Sequence, residues 1–351
     1  MKSKGRIIFR CDAGRIPGVS MGHAFRCMAL AREIMQTGTE VLFLMQDYPE
    51  GVNAVRSRGF AVETIDRTLS PHKESEILAG MPGDVIVFDL LNAGPITHAL
   101  PAMDKRVVVI DDTGENVVCG HLIINGSIAA ERLTYPGSTP EATLLLGPSY
   151  CILGEEFDEI PMQTGERRHD LVIFMGGSDP AGLTMKVARF LIRSNSSLAI
   201  EIILGSSFAG EDGVRTLMAD YAAPCKITSA PASIVPAFHN ARLALVAGGR
   251  TVYEAAATGL PGIILPSIEH ENRAARLFSA TGAFVHVEHA WQLAGDEFER
   301  QLAVQLKLVE DSSQVVDMAS KAIRLVDRAG RRRVSVAILD QLRHSRPPVT
   351  M

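Results

Sequence analysis

Short unbroken apolar runs alternate with helical stretches along the whole chain, and this rhythm limits the folds open to it. Runs at 6–10, 40–44, 85–88, 107–110, 171–175, 199–204, 243–246 and 262–265 read as strands. Most are continuous β-branched or leucine-rich segments, the pattern of strands buried on both faces of a parallel sheet. Stretches 24–36, 184–193, 251–257 and 272–280 lie between them and read as helices. A βαβα order predicts an α/β fold with helices on both faces of each sheet.

The rhythm pauses over 154–170, a polar, acid-rich stretch carrying Pro161 and Gly165, and then a fresh strand begins. The chain has 351 residues. At ~100–200 residues per domain, two domains are expected. They are placed at 1–160 and 166–330, with 331–351 a C-terminal helix and tail that packs back on the first. Residues 315–342 read as one helical run with Arg331, Arg332 and Arg333 on a solvated face, and the tail Arg346-Pro347-Pro348 is expected to fray.

Hydrophobic residues are 46% and charged residues 21%, enough apolar material for two cores and against extended disorder. The net charge is −5, whereas nucleic-acid binders usually carry a basic excess. Up to residue 160 the balance is −7 and beyond it +2, so the second half suits an anionic ligand better. The five cysteines include no C-x-x-C, which argues against a disulfide framework and a structural zinc. His270, His286 and His289 come nearest to a cluster but match no metal motif, so neither metal nor cofactor is expected. No G-x-S-x-G nucleophile elbow occurs. The N-terminus lacks the ~7–15-residue apolar stretch of a secretory signal, and no window nears the ~18 apolar residues of a membrane span. A cytoplasmic monomer with no membrane partner is expected.

In an open parallel sheet ligands bind beyond the carboxyl ends of the strands. Asp12, Asp89, and Asp111 with Asp112 follow three strands of the first half and are expected to meet on one edge. Aspartates also terminate strands and cap turns, which is the plainer account of any one of them. Gly22-His23 opens a helix, with Arg26 one turn later on the same face. A histidine at such a cleft edge is suited to general-base work, although a lone histidine there is more often a cap or surface residue. In the second half Gly176-Gly177-Ser178 and Gly248-Gly249 each join a strand to a helix. Such turns bring backbone N–H groups and a helix N-terminus to phosphate oxygens, but neither matches a P-loop or a complete G-x-G-x-x-G. Thr251-Val-Tyr-Glu254 fits a capping box, with a ribose contact as the rival reading of Glu254. Glu271 and Asn272 supply polar groups at the same edge.

In this order, Phe9-Arg10-Cys11-Asp12, Gly22-His23-Ala24-Phe25-Arg26, Val109-Ile110-Asp111-Asp112, Gly147-Pro148-Ser149-Tyr150, Gly176-Gly177-Ser178-Asp179 and Ala247-Gly248-Gly249-Arg250-Thr251 resemble the nucleotide-sugar hydrolases of pseudaminic acid biosynthesis and their spore-coat polysaccharide relatives. The resemblance spans residue 6 to about 280. It implies a GT-B-like pair of Rossmann-like domains facing a central cleft. It further implies UDP held by Gly176, Gly177, Ser178, Gly248, Gly249, Thr251, Glu271 and Asn272, with Glu254 on the ribose. His23 would be the base that activates water for inverting attack on the anomeric carbon, with Asp12, Gly22, Arg26, Asp89, Asp111 and Asp112 around the sugar. The chain departs from these relatives at Ser20, where they carry glycine, at Gly154, where arginine is common, and at Arg273, where many carry glutamine. Its loop from Asp12 to His23 is about two residues longer. A glycosyltransferase on the same fold and a non-catalytic nucleotide-sugar binder are the rival functions.

Overall fold

The computed structural model describes residues 5–14, 19, 21–98, 100, 105–114, 118–135, 141–160 and 168–344. Pro17, Gly18, Ser20, Pro161, Gly165 and the Arg346-Pro347-Pro348 tail lie outside the described residues. The chain forms two compact units, 1–155 with 328–351, and 156–327.

In the first unit strands β1 (Arg6–Cys11), β2 (Glu40–Gln46), β3 (Ala61–Ile65), β4 (Val85–Asp89), β5 (Arg106–Ile110), β6 (Leu122–Asn125) and β7 (Thr143–Leu146) form one parallel sheet in the order 3-2-1-4-5-6-7. Helices α1 (Gly22–Met35), α2 (Pro49–Arg56), α3 (Pro71–Gly80) and α4 (Gly94–Thr97) connect its first strands. The second unit carries β8 (His169–Phe174), β9 (Ile200–Leu204), β10 (Cys225–Ser229), β11 (Ala241–Ala247), β12 (Gly262–Leu265) and β13 (Phe284–His286), all parallel, in the order 10-9-8-11-12-13. Its helices are α5 (Leu183–Arg193), α6 (Glu211–Met218), α7 (Val235–His239), α8 (Arg250–Ala257), α9 (Glu269–Ala280), α10 (Gly295–Leu306) and α11 (Ser312–Leu325). Each unit is thus an α/β Rossmann-like layer with the strand order reversing once. The reversal falls between β1 and β4 in one unit and between β8 and β11 in the other.

The continuous apolar runs of β1, β4, β8 and β11 are buried on both faces, as their composition requires. Five strands fall outside the expected set: β3, β6, β7, β10 and β13. The expected helical run 315–342 is broken. α11 ends at Leu325, Arg328 takes a left-handed φ of 65°, and α12 (Gly330–His344) starts afresh within the first unit. Val334, Ile338 and Leu342 of α12, spaced four apart on one face, join the core of β1 and α1. Burying each contributes about 1.5–3 kcal/mol. Arg331 donates to Glu33 at 2.8 Å and Arg106 to Gln341 at 3.0 and 2.8 Å, which fixes the helix along the sheet. Only glycine fits at residue 330, because a Cβ there would lie 2.2 Å from the Cys151 carbonyl oxygen.

Candidate active site

Where strand order reverses in a parallel sheet, the strand ends part and leave a crevice for a ligand. At the β1/β4 reversal Cys11 pairs in register with Asp89. α1 starts eleven residues beyond β1, and its first turn carries His23 and Arg26 on one face towards Asp89. His23 Nδ1 lies 2.5 Å from Asp89 Oδ1. Arg26 grips the same carboxylate as a fork, donating Nε–H to Oδ2 and Nη2–H to Oδ1, both at 2.5 Å. Its Nη1–H reaches Asp112 Oδ1 at 2.7 Å. The Cys27 thiol donates to Asp89 Oδ2 at 3.4 Å.

Asp89 is fully buried. Burial alone would raise its pKa, but the charge and hydrogen bonds of Arg26, and then of His23, outweigh it and hold the carboxyl well below the usual range. Arg26 responds in kind: burial disfavours its cation, and Asp112 and Asp89 more than compensate, so its pKa rises. An anionic carboxylate can only accept. The proton facing Asp89 therefore sits on His23 Nδ1, a tautomer that leaves the Nε2 lone pair of the neutral ring to take a proton.

His23 and Asp89 border a recess of about 290 Å³ whose polar lining adds Arg10, Asp12, Gln46, Glu74 and Asn92, with Leu90, Leu91 and Ile96 on its apolar side. Asp12 accepts from Arg10 Nη1 and from the Gln46 backbone N–H, both at 2.7 Å. Arg10 also donates Nε–H to Glu74 at 2.5 Å, a pair sealed from solvent. Burial would lower the Arg10 pKa; Asp12 and Glu74 reverse this and raise it. Asp111 shares the sheet edge but turns to its own loop, accepting from the Gly114 N–H at 2.7 Å. Of the residues expected here, the structure gathers Asp12, His23 and Asp89 on the recess, with Arg26 and Asp112 behind them. Gly22 is the first residue of α1. Arg10, Glu74, Gln46 and Asn92 were not expected. Arg10 had a signal, because a charge inside an apolar strand must find a counter-charge. Glu74 had none.

In the second unit both glycine turns sit at the β8/β11 reversal. Gly176 takes φ +77°, which its lack of a Cβ permits, and space is open around both Gly176 and Gly177. Gly177 and Ser178 are exposed. Asp179 in the same turn is buried and accepts from the N–H groups of Leu183 and Thr184 at 2.9 and 2.7 Å, so it serves the start of α5. The second turn has Gly249 as N-cap of α8, with no side-chain cap. Glu271 leans onto it: its Oε2 accepts from the Ser267 N–H at 2.7 Å and its carboxylate also takes the Gly248 N–H. Burial nevertheless raises the Glu271 pKa.

Two expectations are corrected here. The capping box at Thr251 and Glu254 does not form, because α8 begins two residues earlier than that box requires, with Gly249 as its cap and Thr251 buried inside the first turn. Glu254 stands in the helix body with no side-chain hydrogen bond among the described residues, and burial raises its pKa. Asn272 is fully buried and closed to a ligand. Its Nδ2 donates to Glu288 at 3.3 Å and its Oδ1 accepts from the His289 N–H at 2.9 Å, tying α9 to the loop after β13.

No helix among the described residues is long and apolar enough to cross a membrane, and no group of three or more His, Cys, Asp or Glu among them is placed to hold a metal ion. No family model matches the chain. It is 23% identical over 262 residues to an uncharacterised protein of Methanocaldococcus jannaschii, covering 70% of this chain and 53% of that protein. It is 25% identical over 209 residues to the spore coat polysaccharide biosynthesis protein SpsG of Bacillus subtilis, covering 57% of this chain and 60% of that one. The chain therefore spans little more than half the length of these relatives. Among solved structures it resembles Acinetobacter baumannii MurG with a TM-score of 0.69 and 16% identity, covering 96% of this chain and 99% of that one. It also resembles the calicheamicin glycosyltransferase CalG4, with a TM-score of 0.62 and 14% identity, over 99% and 100% of the two chains. At these identities the likeness is one of fold, and the fold is the two-sheet α/β architecture of GT-B glycosyltransferases.

Proposed function

We propose that the protein acts on a nucleotide sugar, and more specifically that it hydrolyses a UDP-linked diacetamido-trideoxy hexose, UDP-2,4-diacetamido-2,4,6-trideoxy-β-L-altropyranose or a close relative, to UDP and the free sugar in nonulosonic acid biosynthesis. The observation that carries this reading is His23, oriented through Nδ1 by an Asp89 that Arg26 holds ionised. In this reading His23 Nε2 takes a proton from water. The water oxygen bonds to the anomeric carbon from the face opposite the leaving group, the bond from that carbon to the phosphate oxygen breaks, and UDP departs with the electron pair. Asp89 offsets the imidazolium charge as it forms. Asp12 meets sugar hydroxyls, while Arg26 and Asp112 keep Asp89 in place. Gly176, Gly177, Ser178 and Gly249 offer backbone N–H groups to the diphosphate, next to the uncapped start of α8; Gly248 shapes the turn with its own N–H on Glu271, and Glu254 accepts from the ribose. The relative named for spore coat polysaccharide synthesis and the glycosyltransferase fold both favour sugar-nucleotide chemistry.

The test is a coupled assay for UDP release from this sugar nucleotide with no acceptor present. UDP appearing with free sugar supports hydrolysis. UDP binding without release, until an acceptor is added, favours a transferase. His23→Ala should cost about 10²–10⁴-fold in turnover with UDP affinity nearly unchanged; near-normal turnover would remove His23 from the role of base.

A further inference from the structure

We propose that the outer face of α12 is a self-association surface, built to receive the same face of a second copy of this chain. Arg332, Val336 and Asp340 are spaced four apart and form one ridge on the side of α12 away from its buried Val334, Ile338 and Leu342. Val336 is 52% exposed, a large apolar side chain at the middle of the ridge. Beside it runs a shallow groove lined by Leu145, Tyr150 and Ala337.

The charges identify the partner. A two-fold axis through Val336, perpendicular to the helix, exchanges residues that lie equally far on either side of it. Arg332 of one copy then meets Asp340 of the other, twice over, and Val336 meets the partner's Val336 and groove. At 1.5 Å per residue each ionic pair lies about 6 Å along the helix from the central contact. The same operation sets the exposed Arg343 opposite Ala329. Arg332 is exposed and has no hydrogen bond or ion pair among the described residues. Asp340 holds Arg343 at 2.9 Å in a pair that is 82% exposed on the arginine side, so it is weak and open to a second donor. Basic, apolar and acidic groups in that order along one ridge complement a reversed copy of themselves. This departs from the monomer expected of the sequence.

Sedimentation velocity of the full chain, from low to high micromolar protein, should show a shift from the mass of one chain towards that of two. Arg332→Glu or Asp340→Arg alone should weaken association by about tenfold, since each removes two symmetry-related pairs. The double exchange, Arg332→Glu with Asp340→Arg, should restore it by rebuilding both pairs with reversed sign. Circular dichroism of each variant checks that α12 is intact. A wild-type chain that stays single at every concentration overturns the proposal. So does a folded double exchange that associates as weakly as the single variants.

Discussion

The two strand-order reversals occupy equivalent places in their sheets yet are built from opposite materials. At the β1/β4 reversal side chains do the work: His23, Arg26, Asp89 and Asp112 are locked together by charge-assisted bonds of 2.5–2.7 Å. At the β8/β11 reversal Gly177 and Ser178 are exposed while Gly248 is buried, and two of the nearby acids are spent on the fold itself. Asp179 caps α5 and Glu271 covers the Gly248 turn. One site is preorganised for moving a proton. The other presents a glycine turn, Gly176-Gly177-Ser178, with open space around its glycines. The two titrate in opposite senses, because Arg26 depresses Asp89 whereas burial raises Glu254 and Glu271.

The largest test of this contrast is Asp89→Asn. It leaves Arg26 buried with Asp112 but without its Asp89 counter-charge, at a cost of about 3–5 kcal/mol in urea unfolding, and it releases the His23 tautomer. Turnover should fall far more steeply than UDP affinity; equal losses in both would mean that the first site is not separately organised. Next, Gly176→Ala forces a side chain into the left-handed region at about 1–2 kcal/mol, whereas Gly177→Ala meets open space and should leave stability unchanged. In the proposed reading both still weaken UDP binding by isothermal titration, and if Gly177→Ala binds normally, the N–H cradle is not the phosphate site.

Acid separates the two halves further. A carboxyl depressed in the folded state contributes stability above its ordinary unfolded value near 3.9, lost as pH falls towards its folded one. Asp89 should therefore make the first unit melt earlier below about pH 4. A raised carboxyl does the reverse: its stability is complete below its unfolded pKa and is lost as pH rises through the folded one. Glu254→Gln should thus raise the melting temperature at pH 7, by about 2–4 °C for each kcal/mol relieved, with no gain near pH 4. The same variant should bind UDP less tightly if Glu254 meets the ribose.

What could be read in advance follows the burial of each element. The central strands, β1, β2, β4 and β5 with β8, β9, β11 and β12, announce themselves as continuous apolar runs. β3, β7, β10 and β13 are edge strands. With one side open they carry residues such as Glu63, Thr143 and Lys226, which look like loop. The four residues of β6 are too few to carry a pattern. In the site, Asp89 and His23 were legible because topology alone sends strand ends and helix starts to one edge. The direction of each side chain was not. Asp111 and Asp112 are neighbours, yet one turns to its own loop and the other to Arg26. Glu74 stayed hidden because in sequence it is an ordinary acid in the first turn of a helix, with nothing to mark it as the partner of Arg10.

The return of α12 to the first unit also sets an order of events. Its residues are made after the whole of the second unit, yet they complete the core around β1 and α1. While the chain grows, the first sheet to be synthesised waits with one flank uncovered until the last helix arrives, and the second unit, 156–327, is made in the interval. Early sheet and late helix must close a loop of some 170 residues, and contacts so far apart in sequence form slowly. A chain cut at residue 155 would carry that exposed flank permanently and should aggregate, whereas 156–327 has every strand and helix of its own core.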